Sequence, residues 1–336
     1  MKEDPTASSR KKDHIDLAFA SRVERVDDRF DYEPLLSAHP TIIEGFPKSF
    51  LDKQIHAPIW VSSMTGGTEM AKTININIAK ACKEFGLGMG LGSCRSLLES
   101  DDRLSDFAVR KFIGDQALYA NLGIAQLEVL IENNTLDQID ELSKKLEADG
   151  LIIHINPLQE WLQEEGDKIH KPPIDTIKRV LDHTTQSIIV KEVGQGIGPA
   201  SLRELLKLPI DAIEFAASGG TNFSMLEMMR GRPERKEAFS PMANIGQSVP
   251  DMISIINKLI PEMGHEVNCR NFIISGGVKD YLDGYFHINE LQHNAIYGQA
   301  SGFLKHAQND YDELRQYVEL QVEGLRYASA YLRNKK

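Results

Sequence analysis

Cysteine is scarce: three residues in a chain of 336, with no C-x-x-C spacing. That leaves neither a disulfide framework nor a zinc site to organise a fold, and it fits a reducing cytosol. Long apolar runs are also missing, and nothing approaches the roughly eighteen residues of a membrane span. The N-terminal stretch is charged and has no apolar h-region, so neither a secretion signal nor a membrane span is expected. Positive charge is short as well. Lys and Arg number 38 against 49 Asp and Glu, a net charge of −11. This argues against nucleic-acid binding while leaving room for a phosphorylated ligand held by a few local cations. Low-complexity segments and internal repeats are absent. The remaining composition, 41% hydrophobic and 26% charged, suits one large α/β domain or two smaller ones with a substantial core.

From Ala57 onward, short apolar runs alternate with amphipathic helical spacing. The runs at 58–63, 87–92, 117–122, 151–155, 187–192, 210–216, 271–275 and 295–298 read as strands. Helical spacing occupies Ala71 to Phe85, Leu136 to Ala148, Ile174 to His183 and Ile253 to Leu259. Strands each followed by a helix, eight times over about 250 residues, predict an α/β fold of the (β/α)8 TIM-barrel type. A doubly wound open sheet stays open as an alternative, because periodicity does not separate the two. The chain divides into an N-terminal clamp and cap, 1–56, and a barrel with C-terminal helices, 57–336. Within the first part, 22–56 carries Pro34, Pro40 and Pro47 and reads as a cap or bottom plug. Residues 222–247 read as the longest irregular stretch, a lid-like insertion after the sixth strand.

The densest chemistry lies at 150–160, Gly-Leu-Ile-Ile-His-Ile-Asn-Pro-Leu-Gln-Glu. A buried strand there delivers His154, Asn156, Gln159 and Glu160 in quick succession, and a capping role needs only one polar side chain. The exits of the other strands carry Ser62-Ser63-Met64-Thr65, Gly92-Ser93-Cys94-Arg95 and Asn121. Further on come Lys191-Glu192, Ser218-Gly219-Gly220-Thr221-Asn222, Ser275-Gly276-Gly277-Val278 and Gln299-Ala300-Ser301. Barrel enzymes gather their sites at these exits, and the last two loops form the usual phosphate site. Hydroxyls, amides and one lysine without a nucleophile–base pair suit a flavin mononucleotide (FMN), with Lys191 near the electron-rich N1–O2 end of its ring. A strand-end lysine snorkelling to solvent is weighed equally. Arg10-Lys11-Lys12-Asp13-His14 reads first as a solvated helix start and second as an anion clamp over the mouth.

These motifs, in this order, resemble the type 2 isopentenyl-diphosphate isomerases, the flavin-dependent isomerases of isoprenoid synthesis. The resemblance is carried by Arg10-Lys11-x-x-His14, Met64-Thr65-Gly66-Gly67, Gly92-Ser93-x-Arg95 and Asn121-Leu122-Gly123. It continues in His154-x-Asn156-Pro157-Leu158-Gln159-Glu160, Lys191-Glu192-Val193-Gly194, Gly219-Gly220-Thr221-Asn222 and Ser275-Gly276-Gly277. Asn-Pro-Leu-Gln-Glu and the N-terminal Arg-Lys-x-x-His are its specific parts, whereas the glycine pairs are shared with many flavin barrels. The chain departs at Phe215-Ala216-Ala217-Ser218, where family members often have Ser-Gly-Ala, and again around Asn294–Gln299.

The resemblance implies FMN, Mg2+ and a small-molecule diphosphate substrate, with NADPH as the reductant. Gln159 and His154 are implied as catalytic. Arg10, Lys11, His14, Ser93, Arg95, Asn156 and Gln159 are implied to hold the substrate, and Glu160 the metal. The flavin ring is assigned to Ser63, Met64, Thr65, Ser93, Asn121, Lys191 and Thr221. Its phosphate falls to Gly276, Gly277, Val278, Ala300 and Ser301. A cytoplasmic homo-oligomer, tetramer or octamer, is expected, with no nucleic-acid or membrane partner. The alternative on the same barrel is an FMN-dependent 2-hydroxy-acid oxidase or dehydrogenase, which needs a His base and an Arg pair on the late loops. A nucleotide dehydrogenase needs a mobile-loop cysteine after the sixth strand, whereas Cys94 follows the second and reads as packing. A ligand-binding barrel without catalysis is the third alternative.

Overall fold

The structure, a computed structural model, describes residues 6–23, 25–63 and 69–335. Eight parallel strands run in chain order: β1 (Ile59–Val61), β2 (Gly88–Gly90), β3 (Leu118–Gly123), β4 (Gly150–Ile155), β5 (Ser187–Glu192), β6 (Ala212–Glu214), β7 (Asn271–Ser275) and β8 (Asn294–Gln299). β8 pairs back onto β1, with Gly298 opposite Trp60, and the sheet closes into a barrel. Closure excludes the open-sheet alternative.

Strand alternation sets the layers. The residues pointing outward, such as Leu151, Ile153, Ile188, Val190, Phe272 and Ile274, pack under the surrounding helices in one continuous core. Those pointing inward at the lower level are Trp60, Tyr119, Ile152, Ile189, Ala212, Ile273 and Ile296, which fill the barrel as a second core. β2 contributes no side chain here. A Cβ on Gly88 would stand 2.4 Å from the Trp60 ring, so the glycine makes room for the indole. Filling the barrel with large side chains leaves its floor solid and puts any site at the upper end.

The floor is sealed from below by a hairpin, Ser49–Phe50 paired with Lys53–Gln54, whose Phe50 packs with Ile55 onto the lower layer. Both turn residues, Leu51 and Asp52, have positive φ, the conformation a two-residue hairpin of this hand requires. Lys53 pairs with Asp149 at 2.8 Å, tying the hairpin to the entry of β4. Further upstream, Phe30–Tyr32 forms an antiparallel ladder with Leu332–Asn334, so the cap segment is tied to the last strand. The N-terminal helix Ala7–Leu17 stands apart, with the described side chains from Ser9 onward exposed.

The helices expected from spacing form as Glu69–Phe85, Gln138–Leu146, Pro173–His183 and Val249–Met263. The expectation of an irregular insertion at 222–247 is corrected. It folds into helices Phe223–Arg230 and Pro233–Phe239, followed by a 3-10 turn at Ser240–Asn244. The residues that looked like breakers are helix starts. Asn222 caps the first helix by accepting from the Met225 amide at 2.9 Å, and Pro233 opens the second, where its missing N–H costs nothing. No helix among the described residues is long and apolar enough to cross a membrane.

Candidate active site

Two residues above the apolar floor, the same inward-facing positions change character. Trp60, Tyr119, Ile152, Ile189, Ala212, Ile273 and Ile296 are followed, one inward step on, by Ser62, Asn121, His154, Lys191, Glu214, Ser275 and Gly298. Register places Gly123, His154, Lys191 and Glu214 side by side across β3 to β6. Ser62, Lys191, Glu214, Ser275 and Gly298 of this ring line a cavity of about 330 Å³, and Asn121 and His154 do not, a volume within the range of small-molecule sites. Ser62, Lys191, Glu214 and Ser275 line its depth, and Gly276 to Val278 with Gln299 to Ser301 line its rim.

The rim is built from bare backbone. The glycine pairs after β6 and β7 pack directly on one another, and a Cβ on Gly277 would lie 3.2 Å from Gly219. Gly276 is tighter still, since a Cβ there would stand 2.1 Å from the Ala217 carbonyl oxygen. Gly219, Gly276 and Gly277 all have positive φ, which only glycine adopts freely. Ala216, without that freedom, is held at φ 41°, its amide donating to Ser275 Oγ at 2.9 Å.

His154 Nδ1 lies 2.7 Å from Asn121 Oδ1, and the Asn121 amide donates to the Leu91 carbonyl at 3.0 Å. With the amide so oriented, Nδ1 carries the ring proton and Nε2 keeps its lone pair. The ring leaves one edge open at the mouth, but the protein around it is dense. Burial, with the charge of Lys191 second, pushes its pKa down to about 3. Lys191 is itself buried and donates to the Glu192 carbonyl at 2.8 Å. The carboxylate of Glu192 accepts the amides of Gly194, Gln195 and Gly196 within 3.0 Å and shapes the turn after β5.

Beyond β4, the short helix Pro157–Leu162 arranges the rest of the cluster. The Asn156 amide donates to Glu160 Oε1 at 2.8 Å and to Gln159 Oε1 at 3.3 Å. Gln159 in turn donates to Glu227 Oε1 at 3.0 Å, and Glu160 Oε2 accepts the Asp167 amide at 2.7 Å. Asp167 binds Arg95 at 2.7 Å and the Gln126 amide at 2.9 Å. The structure therefore joins Asn156, Gln159 and Glu160 in one network. It brings Arg95 to its edge and leaves Ser93 exposed nearby.

Other expected residues are placed differently. Arg10, Lys11 and His14 stand on the exposed N-terminal helix, not buried at the mouth. Thr221 lines the cavity with its side chain exposed, and Ser63 lines it with a buried Oγ that makes no hydrogen bond. Met64 and Thr65 lie outside the described residues. Cys94 is buried, its thiol raised to about 12 by that burial, and packs as expected.

Two carboxylates had escaped notice. Glu227, buried at the inner face of the insertion, holds Gln159 on one oxygen and Arg230 at 2.8 Å on the other. The Asn222 cap five residues before it was the available signal. Glu214 hides in the run Ile213-Glu214-Phe215, where a lone charge in a buried strand was the clue. Among the described residues, no group of three or more His, Cys, Asp and Glu could hold a metal by itself.

No family model matches the chain. An isopentenyl-diphosphate delta-isomerase of Rickettsia bellii is 32% identical over 324 residues, covering 94% of this chain and 91% of that protein. One from Rickettsia africae is 32% identical over 332 residues, covering 97% and 94%. Among solved structures, a flavocytochrome b2 variant with sulfite bound superposes with a TM-score of 0.60 at 11% identity, over 89% of this chain and 71% of that one. A mandelate oxidase variant with (S)-mandelic acid gives 0.55 at 13% identity, over 91% and 86%. At such identity the structural likeness carries the fold alone.

Proposed function

The chain belongs to the isopentenyl-diphosphate delta-isomerase family, and from that premise we propose that the mouth of this barrel converts isopentenyl diphosphate to dimethylallyl diphosphate with FMN and Mg2+. The observation that carries the reading is the Asn156–Gln159–Glu160–Glu227 network at the exit of β4, two residues beyond His154, which stands in register with the cavity-lining Lys191.

The residues present fit a flavin. Ser63 keeps a buried hydroxyl without a partner, and Lys191 offers a buried cation. The glycine rim after β7 and the loop after β8 present backbone amides at the usual phosphate position. A reduced flavin, when bound, supplies the acid–base chemistry that no side-chain pair at this mouth provides. Asn121, Lys191 and Thr221 with Ser63, Ser93, Met64 and Thr65 would hold its ring. Gly276, Gly277, Val278, Ala300 and Ser301 would hold its phosphate.

A magnesium ion fits Glu160 on different grounds. Each carboxylate oxygen already accepts one hydrogen bond and keeps a lone pair. One carboxylate completed by ligand phosphate oxygens is the way this ion usually binds. Arg95 and Asn156 stand beside Glu160 to receive the diphosphate, with Arg10, Lys11 and His14 closing from the N-terminal helix. The nearby anion favours protonation of His154 at Nε2, turning that atom into a donor. Gln159, clamped between Asn156 and Glu227, cannot swing, so it orients the alkene and relays a proton without bearing charge. NADPH serves as reductant, and the protein works as a cytoplasmic homo-oligomer.

The hydroxy-acid oxidase alternative finds no support in the side chains. No arginine or histidine lines the cavity among the described residues, and that chemistry needs both to grip and deprotonate a hydroxy acid.

The test is an anaerobic assay with isopentenyl diphosphate, magnesium and reductant in deuterium oxide. The expected outcome is dimethylallyl diphosphate carrying deuterium in its new methyl group, with many turnovers per reduction. Reductant consumed in proportion to product, or product free of deuterium, would defeat the reading.

A further inference from the structure

Of the side chains in the polar ring, Glu214 has no part in the chemistry above. It is fully buried, at 0% exposure, and lines the deepest part of the cavity. Its Oε1 accepts from Ser275 Oγ at 3.1 Å, while Oε2 is buried and has no hydrogen-bond partner. Burial pushes the Glu214 pKa up, while the charge of Lys191 foremost, then the Ser62 and Ser275 hydroxyls, pull it back toward the carboxylate. A buried carboxylate oxygen left without a donor is costly, and native interiors rarely leave one so. Lys191 lies directly opposite Glu214 in the β5–β6 register, and both side chains line the same cavity. Of the three protons on the Lys191 ammonium, one is committed to the Glu192 carbonyl. Two donors therefore remain for whatever fills the cavity, since Lys191 makes no direct ion pair with Glu214 and feels it through charge.

We propose that Glu214 is a positioning residue for Lys191. Its Ser275-anchored carboxylate acts on the Lys191 ammonium through charge, without a direct ion pair, favours the orientation in which the ammonium's free donors face the polar edge of the bound flavin ring, and so lowers the ring's affinity for electrons. The inference rests on the flavin reading above. The charge logic is direct. Alone, Lys191 stabilises the negative charge that the ring gains on reduction. A carboxylate beside it cancels part of that stabilisation in a water-poor cavity, where charges act strongly.

The measurement is the two-electron reduction potential of the purified holoprotein, alongside bound flavin per chain and the visible spectrum. Glu214→Gln keeps the shape and the Ser275 contact but removes the charge. It should retain one flavin and become at least tenfold easier to reduce, a rise of about 30 mV for a two-electron couple. Glu214→Asp, which keeps the charge, should stay within threefold of the wild-type equilibrium. Should Glu214→Gln release its flavin, the potential is read in Glu214→Met, which is uncharged and of similar length and should shift it the same way. A flavin-bound variant of either kind with unchanged potential overturns the proposal alone. A wild-type protein that carries no flavin and takes none up overturns the flavin reading and the proposal together.

Discussion

At the scale of single residues, His154 shows how the barrel sets chemistry through burial. Its pKa is pushed from 6.5 in an exposed chain to about 3 in the fold. Between those values the unfolded chain binds a proton that the folded one does not, so stability rises with pH across that window. The contribution is intact above pH 6.5 and is lost as pH falls toward 3. His154→Gln should therefore flatten part of the loss in denaturant midpoint between pH 7.5 and pH 5. A variant as acid-sensitive as the wild type would show that the ring charges freely in the fold. Glu160 carries the metal prediction. Glu160→Gln should leave flavin bound but lower magnesium-dependent turnover by about one to three orders of magnitude. Wild-type turnover indifferent to a chelator would remove the metal from the reaction. Both residues were legible in the sequence, because a buried apolar strand followed within a few residues by a dense run of polar side chains marks itself. Glu214 was not, since one glutamate between Ile213 and Phe215 reads as noise until the ring around it is seen.

At the scale of elements, the strands were legible and the insertion was not, for one physical reason. Buried parallel strands are short unbroken apolar runs, a signal that survives any surroundings. The helices at 223–239 are short, carry exposed apolar side chains such as Met229, and take stability from caps and neighbours instead of periodicity. Asn222 is the point of attachment. Its side chain caps Met225, donates to the Ala243 carbonyl at 2.6 Å and accepts from Gln195 at 3.2 Å. Glu227, five residues on, clamps Gln159. Asn222→Ala should cost about 1–2 kcal/mol locally. It should speed amide exchange across 223–230 and lower kcat through a looser Gln159, leaving the barrel strands protected. Unchanged exchange in that helix, with turnover nonetheless reduced, would locate the effect in Asn222 itself. The bottom plug was readable from its prolines and short apolar pieces, but not as a hairpin, because Leu51 and Asp52 adopt positive φ without the Asn-Gly signature that would have announced the turn.

At the scale of the whole molecule, charge poses the question that the fold alone does not answer. The chain carries −11 overall, and its proposed substrate is an anion. Long-range electrostatics therefore oppose encounter, and attraction must come from cations within about one Debye length of the mouth, roughly 8 Å at physiological salt. Arg95 is one such cation, though Asp167 already offsets it at 2.7 Å. Arg10 and Lys11 are the obvious others, yet the structure holds them on a helix whose described side chains are exposed. If that helix swings over the mouth when substrate arrives, local attraction dominates the global repulsion, and kcat/KM in the wild type should fall as salt rises. Replacing Arg10 and Lys11 together with alanine removes the local term and leaves the net charge more negative. In that variant kcat/KM should drop at low salt and then rise as salt screens the repulsion. A reversed sign of the salt dependence is the signature, because lost folding would lower both curves without crossing them. Parallel salt curves for wild type and variant would mean that the helix never reaches the substrate, and that Arg95, Asn156 and the Glu160-bound ion hold the diphosphate unaided.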